Sequence, residues 1–226
     1  MISIITSTKR PDFLQNIVRN FENQDIKEKE LVLILHGFSE NLSSELLNNP
    51  LIKLVYSSIE QPLGTCLNEG ILQAKYNIIA RFDDDDYYGP HYLSEALKTM
   101  EEKDVEIIGK QSLFIYFIVD QQLSLLFPGK ENRFIKSQSD TLAGSTLIFK
   151  KKIVDRVIFQ PVSLGEDTAF LEECKKLRIR MYASTPDHYV HIRYPYYHHT
   201  SDADNRRLKS HCLPLVKTKC FLEYVN

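Results

Sequence analysis

Apolar and polar positions alternate in regular blocks over the first hundred residues. Ile2 to Thr6 is a short apolar run that predicts a strand, and Leu31 to Leu35, Leu51 to Tyr56 and Asn77 to Phe82 repeat it. Between these runs the period lengthens to that of a helix. Phe13, Leu14, Ile17, Val18 and Phe21 share one face of a helix predicted over 11–23, which Pro11 opens with Asp12 beside it. Further helices are predicted near Glu40 to Asn48, over Pro62 to Lys75, and from Pro90 through Met100. Strands that alternate with helices imply parallel pairing and right-handed crossovers, hence an α/β nucleotide-binding half.

After Lys103 the alternation breaks down. Val105 to Ile108, Leu113 to Val119, Ser145 to Phe149, Ile179 to Ala183 and Tyr189 to Ile192 predict strands, and Leu123 to Ser139 reads as irregular. A helix is expected around Ile153, and Gly165-Glu166-Asp167-Thr168 precedes an amphipathic helix carrying Phe170, Leu171, Cys174 and Leu177. Asp204 to Tyr224 predicts a closing helical segment interrupted near Pro214.

Composition narrows the class. The chain has 226 residues, 43% of them hydrophobic and 26% charged, and a net charge of -2. That balance gives no footprint for nucleic acid. The basic groups at Lys150, Lys151, Lys152 and Arg156 and between Arg206 and Lys219 read as solvated helix faces. No apolar run approaches the roughly 20 residues of a membrane helix, so no integral membrane segment is expected. The four cysteines, Cys66, Cys174, Cys212 and Cys220, show no metal-ligand spacing and read as reduced thiols of a cytoplasmic protein, with a Cys212–Cys220 bridge as the alternative.

The chemistry is concentrated in four consecutive aspartates, Asp83 to Asp86, directly after the strand ending at Phe82. Carboxylates this close repel one another and call for a counter-charge, most simply a divalent cation with oxygen ligands. The carboxyl ends of strands in an open α/β sheet are where ligands bind. No glycine motif for cradling phosphate follows the first strand, neither G-x-G-x-x-G nor G-x-x-x-x-G-K. A metal held by the aspartates would serve phosphate instead.

Four segments together resemble the family 2 glycosyltransferases of the GT-A fold. Ile4-Ile5-Thr6-Ser7-Thr8-Lys9-Arg10-Pro11 resembles the family's opening strand and loop, and Gly64-Thr65-Cys66-Leu67-Asn68-Glu69-Gly70 its glycine-asparagine helix. Ala80 to Asp86, with Pro90 following, resembles the D-x-D segment, and Gly165-Glu166-Asp167 the E-D motif before a late helix. The likeness runs from residue 2 to about residue 200. Thr6 replaces the family's usual proline, and Leu35-His36 replaces the acidic pair that commonly ends the second strand.

The resemblance implies one GT-A domain over 1–200, with a mostly parallel central sheet flanked by helices. Its nucleotide-sugar-binding half would be 1–103 and its acceptor and catalytic half 104–200, followed by a helical tail over 201–226. It implies inverting transfer from a nucleotide-diphosphate sugar to an acceptor hydroxyl, assisted by Mn²⁺ or Mg²⁺. Asp85 is the expected metal ligand, with His198 or His199 from the late histidine pair as a further one. Asp83 and Asp84 would contact ribose or metal-bound water. Asp86 is either a support behind them or the cap of the next turn.

Thr6, Thr8, Arg10 and Asn68 would grip the nucleotide, and Arg193 the diphosphate. Asp167 is the expected general base, because an acceptor hydroxyl is a poor nucleophile until a carboxylate takes its proton. Glu166 would orient the acceptor. Ala143-Gly144-Ser145 resembles the small-residue turn near the donor sugar.

Cell-surface, spore or capsule glycan synthesis is the expected setting, with a UDP-sugar donor and a glycan, glycolipid or protein acceptor, in the cytoplasm or peripheral to the membrane. The tail could equally pack on the acceptor half, mediate a homodimer or lead into a further region. The competing readings are a non-catalytic nucleotide-sugar- or glycan-binding module of the same fold and a nucleotidyltransferase. Ser7-Thr8-Lys9-Arg10 lacks the glycines that the latter's opening loop carries.

Overall fold

The computed structural model describes residues 1–38, 42–195 and 205–225. Among the described residues the strands form two sheets. The first four, β1 (Ile2–Thr8), β2 (Lys29–His36), β3 (Ile52–Ser57) and β4 (Ile78–Arg81), pair in parallel in the order β3-β2-β1-β4. The helices α1 (Leu14–Glu22), α2 (Ser44–Asn48) and α3 (Leu63–Gln73) connect them. A short strand β5 (Tyr87–Tyr88) and helix α4 (Tyr92–Glu102) follow.

The large sheet then continues with strands from the second half of the chain. β6 (Ile107–Gly109), β10 (Ile148–Lys150) and β11 (Met181–Ala183) extend it to eight strands, with the two-residue strand β9 (Arg133–Phe134) at its far edge. β10 lies antiparallel between β4 and β6, and β9 antiparallel to β11, so the sheet is mostly parallel with two reversed strands, one of them next to the aspartate run. The two halves read from the sequence therefore share one sheet. The second sheet has the order β13-β8-β7-β12-β5, using β7 (Leu113–Phe117), β8 (Gln122–Leu126), β12 (Tyr189–Arg193) and β13 (Cys212–Lys217).

Alternation along the strands builds two apolar layers. Ile2, Ile4, Leu31, Leu33 and Ala80 face one side, where Ile17 and Phe21 of α1 and Leu93 and Met100 of α4 cover them. Ile5, Val32, Ile34 and Ile79 face the other, against Leu67 and Ile71 of α3 and Phe170 and Leu171 of α5 (Glu166–Lys176). Covered on both faces, the central strands lose the polar alternation of a half-exposed strand and read as continuous apolar runs.

Two expectations are corrected. Residues 123–139 are not all irregular, because Gln122–Leu126 pairs antiparallel with β7 and buries Leu123 and Leu126. The closing segment is not mainly helical. A six-residue helix α6 (Asn205–Ser210) gives way to β13, which pairs with β8 as an edge strand. Pro214 fits there because an edge strand has one side without ladder partners. All four cysteines are free thiols, so Cys212 and Cys220 are not bridged.

Candidate active site

The carboxyl ends of β1, β2 and β4 open into a cleft of about 610 Å³, which also takes residues from the loop before α5. Thr8, Arg10, His36, Asp83, Asp84, Asp85, Gly144, Glu166, Asp167, His191 and Arg193 all line it. The acidic run and the Glu166-Asp167 pair, separated by about eighty positions in the chain, thus face one space.

Each aspartate of the run has a different environment. Asp84 is buried and accepts hydrogen bonds from Thr8 Oγ1 at 2.6 Å and Arg10 Nε at 3.0 Å. Asp85 pairs with Arg10 Nη2 at 2.9 Å. Its burial, together with the charges of Asp86, Asp84 and Asp83 and against the pull of Arg10, pushes its carboxyl up to about 7. Asp83 accepts from Arg81 Nε at 3.2 Å.

Asp86 is fully buried and faces away from this group. It accepts from the Tyr189 hydroxyl at 2.5 Å and the Ile192 N–H at 3.0 Å, and lies 3.0 Å from His191 Nδ1. Burial opposes its charge, but His191 and these donors together hold it below the usual carboxylate range. Asp86 is therefore the anchor that ties the aspartate loop to β12, and not a helix cap.

The loop itself is held from α1. Asn16 Nδ2 donates to the carbonyls of Asp84 (2.8 Å) and Asp86 (3.0 Å), and Asn20 Nδ2 to that of Asp86 (2.9 Å). These two asparagines, Asn16 half-buried and Asn20 buried, stand one turn apart on α1 beside the buried Ile17 and Phe21. Polar residues inserted at that spacing into an apolar helix face are the signal that would have found them. On the other side the Tyr88 hydroxyl accepts from the Asp83 N–H at 2.8 Å and donates to the Ser145 carbonyl at 2.7 Å. Backbone and side chain are thereby fixed together where the carboxylates crowd.

Helix α5 begins at Gly165, whose φ of +80° is a left-handed turn that glycine takes at least cost. It presents Glu166 and Asp167 in its first turn, at the positive end of the helix. Asp167 Oδ1 accepts the Thr168 N–H at 2.7 Å. Its Oδ2 lies against Gly144, where a Cβ would fall 2.0 Å from it. Glu166 is buried and pairs with Arg81 Nη1 at 3.0 Å.

Of the residues singled out in the sequence, Thr8, Arg10, Asp83, Asp84, Asp85, Glu166, Asp167 and Arg193 gather in the cleft. Arg193 is buried and its Nε donates to Asn205 Oδ1 at 2.9 Å. Two of the expected nucleotide contacts lie elsewhere. Thr6 is buried within β1, one residue of the pleat below the rim, and does not line the cleft. Asn68 also lies off the cleft, where its amide clamps the Phe159 backbone, donating to the carbonyl at 2.8 Å and accepting the N–H at 3.1 Å. Glu166 lines the cleft and bonds Arg81 through Oε1. His198 and His199 lie outside the described residues. Sequence reasoning left Arg81, His191 and His36 without a role, and all three line the cleft.

The donor set suits a hard divalent cation. Asp83, Asp84 and Asp85 offer oxygen alone, and a carboxyl raised by burial and then by its like-charged neighbours marks a site that gains from added positive charge. Among the described residues no three His, Cys, Asp or Glu side chains converge as a ready-made cage.

The sequence model of glycosyl transferase family 2 matches residues 3–159. The O-antigen biosynthesis glycosyltransferase WbnJ of Escherichia coli is 30% identical over 164 residues, covering 68% of this chain and 63% of the relative. Among solved structures, the mannosyltransferase PcManGT from Pyrobaculum calidifontis in complex with GDP-Man and Mn²⁺ superposes with a TM-score of 0.60 at 15% identity, over 87% of this chain and 58% of the other. TarS 1-349 of S. aureus in complex with UDP-GlcNAc gives 0.55 at 15% identity, over 85% and 58%. At that identity the two structures show a shared fold. The chain spans just under two thirds of the length of each of these relatives.

Proposed function

Because the chain belongs to glycosyl transferase family 2, we propose that it transfers a sugar from a nucleotide-diphosphate sugar to an acceptor hydroxyl, with inversion at the anomeric carbon. The observation that carries this reading is the meeting of Asp83, Asp84 and Asp85 with Asp167 in one cleft large enough for a donor.

In this reading residues 1–103 hold the nucleotide and residues 104–200 supply the acceptor side and the base. Thr8 and Arg10 position Asp84, and His36 stands at the end of β2, where the family's acidic pair would meet the nucleotide base. Asp85 would hold the divalent cation, with the remaining ligands coming from the donor's diphosphate. Bound there, Mn²⁺ or Mg²⁺ supplies charge neutralisation for the departing diphosphate. Asp167 takes the acceptor hydroxyl's proton through the carboxylate edge that faces Gly144. Arg81, held between Asp83 and Glu166, keeps the donor end and the base end in register. The relative named for O-antigen biosynthesis and the structures in complex with UDP-GlcNAc and GDP-Man support a glycan acceptor and a nucleotide-sugar donor.

The test is a thermal-shift panel of UDP, GDP, dTDP and CMP and their sugar conjugates, with and without Mn²⁺, followed by donor turnover. One nucleotide should stabilise the protein only when Mn²⁺ is present. Asp85→Asn should lose that metal-dependent shift, and Asp167→Asn should keep it while losing turnover. Turnover at the parent rate in Asp167→Asn would overturn the base assignment. No shift with any nucleotide would favour a non-catalytic module.

A further inference from the structure

Arg10 is the first residue but one after β1, and its guanidinium spans two members of the acidic run. Nε donates to Asp84 Oδ2 at 3.0 Å, and Nη2 bonds Asp84 Oδ1 and lies 2.9 Å from Asp85 Oδ2. The guanidinium carbon stands 4.5 Å from the centre of the Phe13 ring, so the flat cation rests on an aromatic surface. A quarter of the Arg10 side chain remains exposed, against 12% for Asp85, so the arginine forms the outer wall of the pair.

We infer that Arg10 and the divalent cation are alternative partners of Asp85, so that metal entry drives the guanidinium off this carboxylate and leaves it aimed at the donor's diphosphate. The inference rests on the metal role given to Asp85 above. A guanidinium cannot lose its proton in a protein, so it relieves the conflict with a second cation only by moving. Metal–oxygen ligation is about 2.0–2.1 Å for Mg²⁺, far closer than the 2.9 Å contact Arg10 makes with the same oxygen. A monovalent and a divalent cation sharing one carboxylate oxygen would repel strongly in a half-buried site.

The displaced arginine has somewhere to go. Its Phe13 platform and its exposed edge let it tilt outward without leaving the cleft that it lines. A diphosphate offers the bidentate acceptor that suits a guanidinium best. Metal and donor then reinforce each other's binding, because the donor rewards the arginine for the contact the metal removes. Such coupling is reciprocal by thermodynamic necessity.

The test measures Mn²⁺ alone, with no nucleotide, from the free-ion electron paramagnetic resonance signal of the parent, Arg10→Ala and Arg10→Lys. Arg10→Ala should bind Mn²⁺ about tenfold or more tighter than the parent, because a competing charge has gone, with Arg10→Lys between them. In a second measurement, Mg²⁺ added to the parent should shift the Arg10 Nε–Hε NMR resonance as its bond to Asp84 is disturbed. Mn²⁺ affinity in Arg10→Ala equal to or weaker than the parent's would overturn the exchange and leave the metal role of Asp85 standing. An Nε–Hε resonance unmoved at saturating Mg²⁺ would overturn it too. If none of the three binds Mn²⁺ alone, the titration is repeated with the nucleotide that the thermal-shift panel selects, and binding by none of them there would remove the metal role itself, and the exchange with it.

Discussion

Arg81 donates to Glu166 across 3.0 Å inside the protein, with each side chain only 5–6% exposed. The pair joins the last residue of β4 to the first residue of α5, and so connects the acidic run to Asp167, the proposed general base, next in sequence. Arg81 Nε also reaches Asp83, which makes one guanidinium the shared reference for both ends of the cleft. Glu166→Gln keeps the shape and removes the charge. Leaving a buried cation under-compensated should destabilise the fold by about 3 kcal/mol, read by urea denaturation. Donor turnover should fall by about tenfold or more while nucleotide affinity stays within about twofold, because the base moves and the nucleotide half does not. Unchanged turnover would show that Glu166 has no hold on Asp167.

Gly144→Ala isolates the base. The added methyl would meet Asp167 Oδ2 at 2.0 Å and its Cβ and Cγ at 2.7 Å, so the carboxylate has to turn and, because Cβ does not move with that rotation, the backbone at Gly144 or the start of α5 has to give way too. Turnover should drop by about a hundredfold, since a misplacement of this size at a reacting group is that severe. The metal-dependent nucleotide shift should persist, because no residue of the acidic run lies among the atoms nearest the new methyl. A variant that turns over normally would place the reacting carboxylate elsewhere.

Asn68→Ala separates a structural clamp from a substrate contact. The side chain satisfies both the N–H and the carbonyl of Phe159, ninety-one positions away, and pins the loop after the 3-10 turn at Lys151–Asp155 to α3. Removing it leaves two backbone groups without their partner, at about 2 kcal/mol in unfolding free energy. Nucleotide affinity should not change, as measured by titration at a temperature where both proteins are folded. Lost affinity without lost stability would restore Asn68 to the donor site.

The order of strands and helices through Met100 was legible because the central apolar runs are covered on both faces and the helices between them have a clear period. The acidic run and Asp167 were legible because their residue types name their chemistry. What lay hidden depends on pairing between distant segments. Nothing local tells that Gln122–Leu126 will find β7, or that Cys212–Lys217 will leave a helical pattern to pair with β8. Asp86 could not be told from Asp83 in the sequence, yet one turns inward to Tyr189 and His191 and the other to Arg81. Asn68 fits its place in the helix motif, and its amide holds the Phe159 backbone. Asn16 and Asn20 carried a readable signal, since polar groups on the buried face of an amphipathic helix need partners.

Lys110 gives the fold a pH dependence of its own, away from the reacting groups. It follows β6, is 4% exposed, and donates to the Thr185 carbonyl at 2.5 Å beside a cavity of about 180 Å³ under α4. Burial pushes its amine down to about 7, although Asp187 and Glu95 pull the other way. In the unfolded chain the same group keeps its ordinary value near 10.5. Between those values the unfolded chain binds the extra proton, so stability rises with pH at about 1.4 kcal/mol per unit, fully present above the unfolded value and lost as pH falls to about 7. Lys110→Met removes the titration while keeping the buried stem. Its unfolding free energy should exceed the parent's at pH 7, and the gap should narrow by about 2–3 kcal/mol by pH 9.5. Urea denaturation of both proteins across that range checks it. A gap independent of pH would mean that the buried lysine keeps its proton throughout, supported by Asp187 and Glu95 more strongly than burial opposes it.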